Sequence, residues 1–307
     1  MRPLMCAVSA ILLSCAAQAA PLSPDHEARC SAITEEQQRS NCRRVYAASG
    51  LAMPDRPDET GNMRSGAMAI HKPRGNGPFP ALILLHTCAG IDGDQMIYWT
   101  RQGLQRGYVV FILDSFTPRG LSTGTCTSGQ KATSFPIYAT RLRDAYDALA
   151  HLATLPFVDA NRISAMGFSQ GGRVAFMAAG EKIARTYSAD GRHFHSLVSV
   201  YGRCFNTVNK QWFTQDDTAT PVLALLGGKD EDGDAAQCLP RFNEVKAAGR
   251  PIEWHVYPNA AHAWDEPQFV PAKRVPEFGI PGGYARMEYD PRVTEDSTTR
   301  AFAFISR

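Results

Sequence analysis

The 307-residue sequence has no large excess of either charge, with a formal net charge of +2 and lysines and arginines scattered along it. That balance gives no reason to expect a nucleic-acid partner or a membrane surface. The interior contains no run approaching the roughly eighteen apolar residues of a spanning helix, so no transmembrane segment is expected. It also has no repeat and no low-complexity tract, and no C-x-x-C spacing of the kind that marks a zinc or redox site. What is present is ordinary for a soluble globular protein with a sizeable core: 44% hydrophobic and 20% charged residues, with enough length for one large domain or two small ones.

The N-terminus, "MRPLMCAVSAILLSCAAQAAPLSP", has one basic residue, an apolar core and a small-x-small site at Ala17-Gln18-Ala19. This is the pattern of a secretory signal peptide over 1–19, with cleavage expected before Ala20 and a periplasmic or secreted destination. A lesser alternative is a lipoprotein box at Leu12-Leu13-Ser14-Cys15 that would leave Cys15 lipid-modified. Six cysteines then remain, Cys30, Cys42, Cys88, Cys126, Cys204 and Cys238, an even number in an oxidising compartment. Six cysteines allow about fifteen pairings.

From about residue 65, short apolar runs alternate with helical patterns. The runs are "ALILLH" (81–86), "YVVFIL" (108–113), "RISAMGF" (162–168), "LVSVYG" (197–202), "PVLALLG" (221–227) and "IEWHVY" (252–257). Apolar without alternation and bounded by Gly, Pro or Asp, they read as parallel strands buried on both faces. "GAMAIHKPRGNGPFP" adds an edge strand and a turn. The helical patterns are "YWTRQGLQRG", "IYATRLRDAYDALAHLATL", "GGRVAFMAAGEKIA", "PRFNEVKAAG" and "VTEDSTTRAFAFISR". The expected fold class is α/β, a mostly parallel central sheet flanked by helices. Residues 20–64 are polar, with Pro54 and Pro57, and read as an N-terminal appendage to one catalytic domain over 65–307. Cys30 and Cys42 lie roughly 18 Å apart along one straight helix, beyond disulfide reach, so pairing them requires the appendage to fold back as a small hairpin.

Gly167-Phe168-Ser169-Gln170-Gly171 matches G-x-S-x-G, after a strand and at the start of a helix. A nucleophile held on a strained turn needs small residues on either side, and in return it projects into the crevice at the carboxyl ends of the strands. The bland alternative is a plain strand-to-helix turn. A serine needs a base and an acid that orients the base. In chains built this way they follow in the order Ser, Asp, His, each on a loop after a later strand. Asp230 follows "PVLALLGGK" and His262 follows "IEWHVYPNAA". Asp232 on the same loop is a rival for the acid, and the other seven histidines read as packed or solvated. The backbone N–H groups of Cys88 and Gln170 are the candidate oxyanion donors.

The stretches "GPFPALILLHTCAGI", "FILDSFTPRG", "VDANRISAMGFSQGGRVAF", "LLGGKDED" and "YPNAAHAW" together resemble the dienelactone hydrolase family. The resemblance covers residue 65 to the end. It implies an α/β-hydrolase fold, no cofactor, no metal, and a small-molecule ester or lactone substrate. Carried over by position, it makes Ser169 the nucleophile, Asp230 the orienting acid and His262 the base. Two departures stand out: the namesake enzymes carry cysteine where this chain has Ser169, and glutamate where it has Thr87. The cysteine-activation switch is therefore missing, and serine-esterase chemistry is expected instead of dienelactone turnover. Arg119 falls near the namesakes' arginine for a substrate carboxylate, or it is a loop arginine tied to a local carboxylate. In the implied fold the loops carrying Cys88 and Cys126 hang from neighbouring strands, as do those carrying Cys204 and Cys238, so Cys88–Cys126, Cys204–Cys238 and Cys30–Cys42 are the expected disulfides. The stretch 263–289 is long and rich in proline and aromatics, and reads as a lid, a pocket wall or a surface excursion. The rival readings are a binding protein that kept the fold without turnover, and a peptidase of the same fold. Oligomeric state leaves no mark on the sequence.

Overall fold

The computed structural model describes residues 51–58, 68–121, 125–126, 135–188, 190–276 and 281–307, with Ser31 and Glu36 as single helical positions. The chain divides into two compact units, Met1–Gly50 and Leu51–Arg307, and the elements named below belong to the second. The expected signal segment with Cys15, and the Cys30–Cys42 pair, lie outside the described residues. Residues 51–58 belong to the second unit, where Asp58 N–H donates to Ile70 O at 2.7 Å and His151 Nε2 bonds Pro54 O at 2.9 Å.

In chain order the elements are β1 (Ala69–His71), β2 (Phe79–Leu85), α1 (Gly93–Gln105), β3 (Val109–Leu113), α2 (Phe135–Leu152), β4 (Val158–Phe168), α3 (Gln170–Ala178), α4 (Glu181–Tyr187) and β5 (Leu197–Val200). Then come β6 (Phe205–Asn206), β7 (Gln211–Trp212), β8 (Val222–Gly227), α5 (Ala235–Ala247), β9 (Ile252–Tyr257), β10 (Lys273–Pro276), β11 (Tyr284–Met287) and α6 (Pro291–Ile305). Seven strands form one sheet in the order β1-β3-β2-β4-β5-β8-β9. All neighbours run parallel except β1, which pairs antiparallel with β3 at the edge. Each expected strand is present, and the expected edge strand is β1.

The inner strands β3, β5 and β8 are buried at every position, which is why their sequences do not alternate. Trp99, Phe168, Tyr201 and Trp264 pack with Leu82, Leu84, Val198 and Leu225 in the main core, each aliphatic side chain stabilising the fold by roughly 1.5–3 kcal/mol. Helix starts follow the chain chemistry. Asp92 caps α1 by accepting from Gln95 N–H, and Asp234 caps α5 by accepting from Ala236 N–H. Asp290 caps α6, where Pro291 occupies the first turn and needs no donor.

Two features differ from the sequence expectation. "GGRVAFMAAGEKIA" is two helices, broken at Gly180, which is extended (φ −78°, ψ 135°) and carries no side chain because a Cβ there would lie 2.7 Å from Gln215 Cγ. The hairpins β6–β7 and β10–β11 were not expected from the sequence. Their strands are only two to four residues long, too short for an apolar periodicity to mark them.

Candidate active site

Parallel strands end on one rim, and sequence-derived candidates, Ser169, Asp230 and His262 among them, stand there. Ser169 directly follows β4 and precedes α3, with φ 50° and ψ −111°, a conformation disfavoured for any side chain. The turn is held by Ser169 N–H donating to Val200 O at 3.0 Å and Ser169 O accepting from Arg173 N–H at 3.1 Å. The flanking glycines are there for space. A Cβ on Gly167 would strike the Gly171 carbonyl, and one on Gly171 would strike the Leu85 carbonyl of the neighbouring strand. At Gly172 it would lie 2.7 Å from Ser199 Oγ. The elbow can sit against β2 and β5 only without side chains at these positions.

His262 stands between the other two side chains. Its Nε2 lies 3.0 Å from Ser169 Oγ and its Nδ1 lies 2.8 Å from Asp230 Oδ2. A carboxylate can only accept, so Nδ1 carries the proton and Nε2 is left to accept from the serine hydroxyl. Asp230 Oδ1 accepts from the N–H groups of Asp232 and Gly233, both at 2.9 Å, which turns Oδ2 toward the imidazole. All three side chains are buried.

Asp232 has other partners. It is fully buried and binds the guanidiniums of Arg173 and Arg203. Burial pushes its carboxyl up, but the two arginine charges outweigh that and hold it well below the usual carboxylate range. Asp230 carries the bond to the histidine.

The stretch 263–289 contributes the β10–β11 hairpin, and part of it grips His262 directly. His262 N–H donates to Arg286 O at 3.1 Å and His262 O accepts from Glu288 N–H at 3.0 Å. The hairpin also reaches the acid loop, through Arg274 Nη1 to Glu231 Oε1 at 3.0 Å and Arg286 N–H to Glu231 Oε2 at 2.9 Å. Behind the imidazole, the Tyr201 ring packs at 4.8 Å, and its hydroxyl donates to Asp265 at 2.6 Å. Asp265 also accepts from Trp99 Nε1 at 2.7 Å.

Arg119 makes a bidentate pair with buried Asp144 (2.7 and 2.9 Å) and donates to Ser115 O at 2.8 Å. That is the local-carboxylate arrangement. Cys88 and Gln170 follow adjacent strands, β2 and β4, on the same rim as Ser169. The Cys88–Cys126 and Cys204–Cys238 disulfides are both formed, with Cα–Cα separations of 4.9 and 5.6 Å. Among the described residues, no group of three or more His, Cys, Asp or Glu side chains could hold a metal ion, and no helix is long and apolar enough to cross a membrane.

The sequence reading passed over Arg141, Glu266 and Tyr201. Arg141 had a visible signal, because it falls on the apolar stripe of α2 between Tyr138 and Ala145, where a charge is out of place. Glu266 and Tyr201 carried none.

Comparison with known proteins bears on the family and the fold. The Dienelactone hydrolase family model matches residues 67–307. A Methylorubrum extorquens protein provisionally named a carboxymethylenebutenolidase is 25% identical over 214 residues, covering 66% of this chain and 69% of that protein. The Klebsiella pneumoniae esterase FrsA is 28% identical over 148 residues, covering 46% of this chain and 32% of that longer protein. Among solved structures, a dienelactone hydrolase-like promiscuous phosphotriesterase from metagenomic libraries superposes with a TM-score of 0.58 at 20% identity, covering 78% of this chain and 91% of that one. Thermogutta terrifontis esterase 2 superposes with a TM-score of 0.54 at 15% identity, covering 78% and 88%. With a mostly parallel sheet flanked by helices and a family match across most of its length, the chain belongs to the dienelactone hydrolase family and has the α/β-hydrolase fold.

Proposed function

We propose that the protein is an exported serine hydrolase that cleaves carboxylic esters or lactones through an acyl-enzyme. The observation that carries this reading is the unbroken hydrogen-bond chain Asp230–His262–Ser169 at 2.8 and 3.0 Å. In the proposed cycle, Ser169 Oγ attacks the ester carbonyl while His262 Nε2 takes the hydroxyl proton. The tetrahedral oxyanion is received by the N–H groups of Cys88 and Gln170. Asp230 holds the imidazole in its Nδ1–H tautomer and stabilises the imidazolium that forms. Collapse of the adduct breaks the bond to the alcohol oxygen, which leaves with the proton from His262. Water, deprotonated by the same imidazole, then hydrolyses the acyl-serine. The serine nucleophile and Thr87 support ordinary esterase chemistry. Arg119, committed to Asp144, leaves a substrate carboxylate without that partner, which favours uncharged esters. The signal-like N-terminus and the two disulfides support export.

The test is fluorophosphonate labelling of the mature protein with peptide mass spectrometry, beside Ser169→Ala and His262→Ala. The expected result is stoichiometric modification at Ser169, lost in both variants, with kcat on a simple aryl ester falling about 10⁴- to 10⁶-fold in each. A folded, unlabelled wild-type protein would sink the reading and favour a binding role.

A further inference from the structure

We propose that Arg141 is the positioning residue of the oxyanion hole, its planar fork holding together the two chain segments whose N–H groups, at Cys88 and Gln170, receive the oxyanion. This rests on the hydrolase reading above and extends it to a side chain that touches neither substrate nor triad.

Arg141 sits in the middle of α2 with 2% of its surface exposed. Nη2 donates to His86 O at 2.5 Å and Nη1 donates to Gln170 Oε1 at 2.7 Å. His86 follows β2 and Gln170 opens α3 after β4, so one guanidinium bridges the ends of two adjacent strands. The bridge is part of a closed ring. Gln170 Nε2 donates to Thr125 Oγ1 at 3.3 Å, Thr125 N–H donates to Cys88 O at 2.6 Å, and Cys88 is bound to Cys126. From Cys88 the chain runs back through Thr87 to His86. Both candidate donors belong to residues of this ring.

The peptide that carries the Cys88 N–H is fixed from its other side. His86 Nδ1 donates to Thr87 O at 2.7 Å, while His86 Nε2 accepts from Ser115 N–H at 3.2 Å. Thr87 C=O and Cys88 N–H share one planar trans unit, so holding the carbonyl aims the N–H the opposite way. This arrangement requires a neutral imidazole. Burial, and then the Arg141 charge, push His86 well below its ordinary value and keep it neutral. Arg141 itself, although burial lowers it to about 10, stays charged at neutral pH.

Two features argue against plain packing. The stripe Tyr138, Leu142, Ala145 and Leu149 is apolar and buried, and a helix that only had to pack would carry Leu or Met at 141. Both fork bonds end on uncharged oxygens, whereas the buried guanidinium of Arg173 reaches a carboxylate as well as the Tyr138 hydroxyl. The Arg141 face stacks over Phe116 at 5.2 Å, and that ring meets His86 edge-on at 4.5 Å. A lysine could not span both acceptors, because its single ammonium has no fork.

The experiment compares wild type with Arg141→Met, Arg141→Lys and Gln170→Leu. The readouts are steady-state ester hydrolysis, fluorophosphonate labelling, and hydrogen exchange by mass spectrometry on peptides covering 84–90 and 167–173. Arg141→Met is expected to lower kcat about a hundredfold while KM stays near wild type, with faster exchange in both peptides and no change in the β8 and β9 peptides. Arg141→Lys is expected to stay closer to Met than to wild type. Should Arg141→Met fail to fold, Gln170→Leu removes one arm and keeps the residue 170 N–H, with an expected kcat loss of about tenfold. A loss confined to KM, or unchanged exchange in a protein that labels normally, would overturn the positioning role alone. An unlabelled wild type would overturn the hydrolase reading and, with it, the catalytic meaning of the ring.

Discussion

Two regions around the histidine treat buried carboxylates in opposite ways. On the acid-loop side, Asp232 is enclosed by Arg173 and Arg203, and the two positive charges overcome its burial and keep it ionised. On the other side, behind Tyr201, Asp265 and Glu266 are equally shut in, and their polar partners include Gln95, Trp99, Tyr201 and Gln268. Burial raises Asp265, and burial together with the Asp265 and Asp92 charges raises Glu266 to about 8. Asp144 adds a third case. It is paired with Arg119, and the Arg143 charge and the Ser115 side chain also favour its ionised form, yet burial still leaves it above its ordinary value. Desolvation is expensive enough here that, of these carboxylates, only Asp232, bound directly by two guanidiniums, is held below its ordinary value. Asp230 lies between the two regions, its Oδ1 held by two backbone N–H groups and its Oδ2 by His262.

This contrast can be broken by substitution. The largest effect is expected at Asp230→Asn, which leaves the loop's shape but favours the wrong tautomer of His262. The kcat for ester hydrolysis should fall about 10⁴-fold, as when the triad aspartate of a serine protease is changed this way, while urea unfolding stays close to wild type. Equal activity in Asp230→Asn would remove it from the triad. Next comes Asp232→Asn, which leaves two buried guanidiniums facing a neutral amide. Urea titration should show a stability loss of about 3–5 kcal/mol, with kcat per folded molecule much less affected than in Asp230→Asn. The reverse pattern would make Asp232 the functional acid.

The smallest effect is a slope. Between the ordinary glutamate value of 4.5 and the folded value of about 8, the folded protein holds one proton more at Glu266 than the unfolded chain does. Stability therefore falls as pH rises through that window, by at most about 1.4 kcal/mol per pH unit from this group. Glu266→Gln should flatten that part of the curve when unfolding is followed at a series of pH values. An unchanged slope would mean that the carboxyl is already ionised at neutral pH.

How much of this was legible in the sequence depended on how local each feature was. The elbow was readable because its cause is short-range: Gly167, Gly171 and Gly172 are small where Ser169's own turn meets β2 and β5. The strands were readable because burial on both faces removes alternation, and the order Ser169, Asp230, His262 follows the order of the strands that carry them. Gly180 was misread as helix interior because its neighbour, Gln215, arrives from more than thirty positions away.

Partner choice was out of reach of local pattern. Asp230 and Asp232 share a loop, a chemistry and nearly a position, and they were told apart only when α3 and the loop after β5 brought Arg173 and Arg203 to one of them. Arg119 could serve a substrate carboxylate or a local one until Asp144 on α2 was set beside it. The grip of Arg286 and Glu288 on His262, and the reach of Arg141 to two strand ends, depend on registers between segments far apart in the chain. The amino-acid sequence by itself therefore determined which side chains stand on the rim, because short-range sterics and burial periodicity are written into neighbouring residues. Only the tertiary structure decided what each of them touches, because the partners come from different strands and helices and meet only when the sheet is assembled.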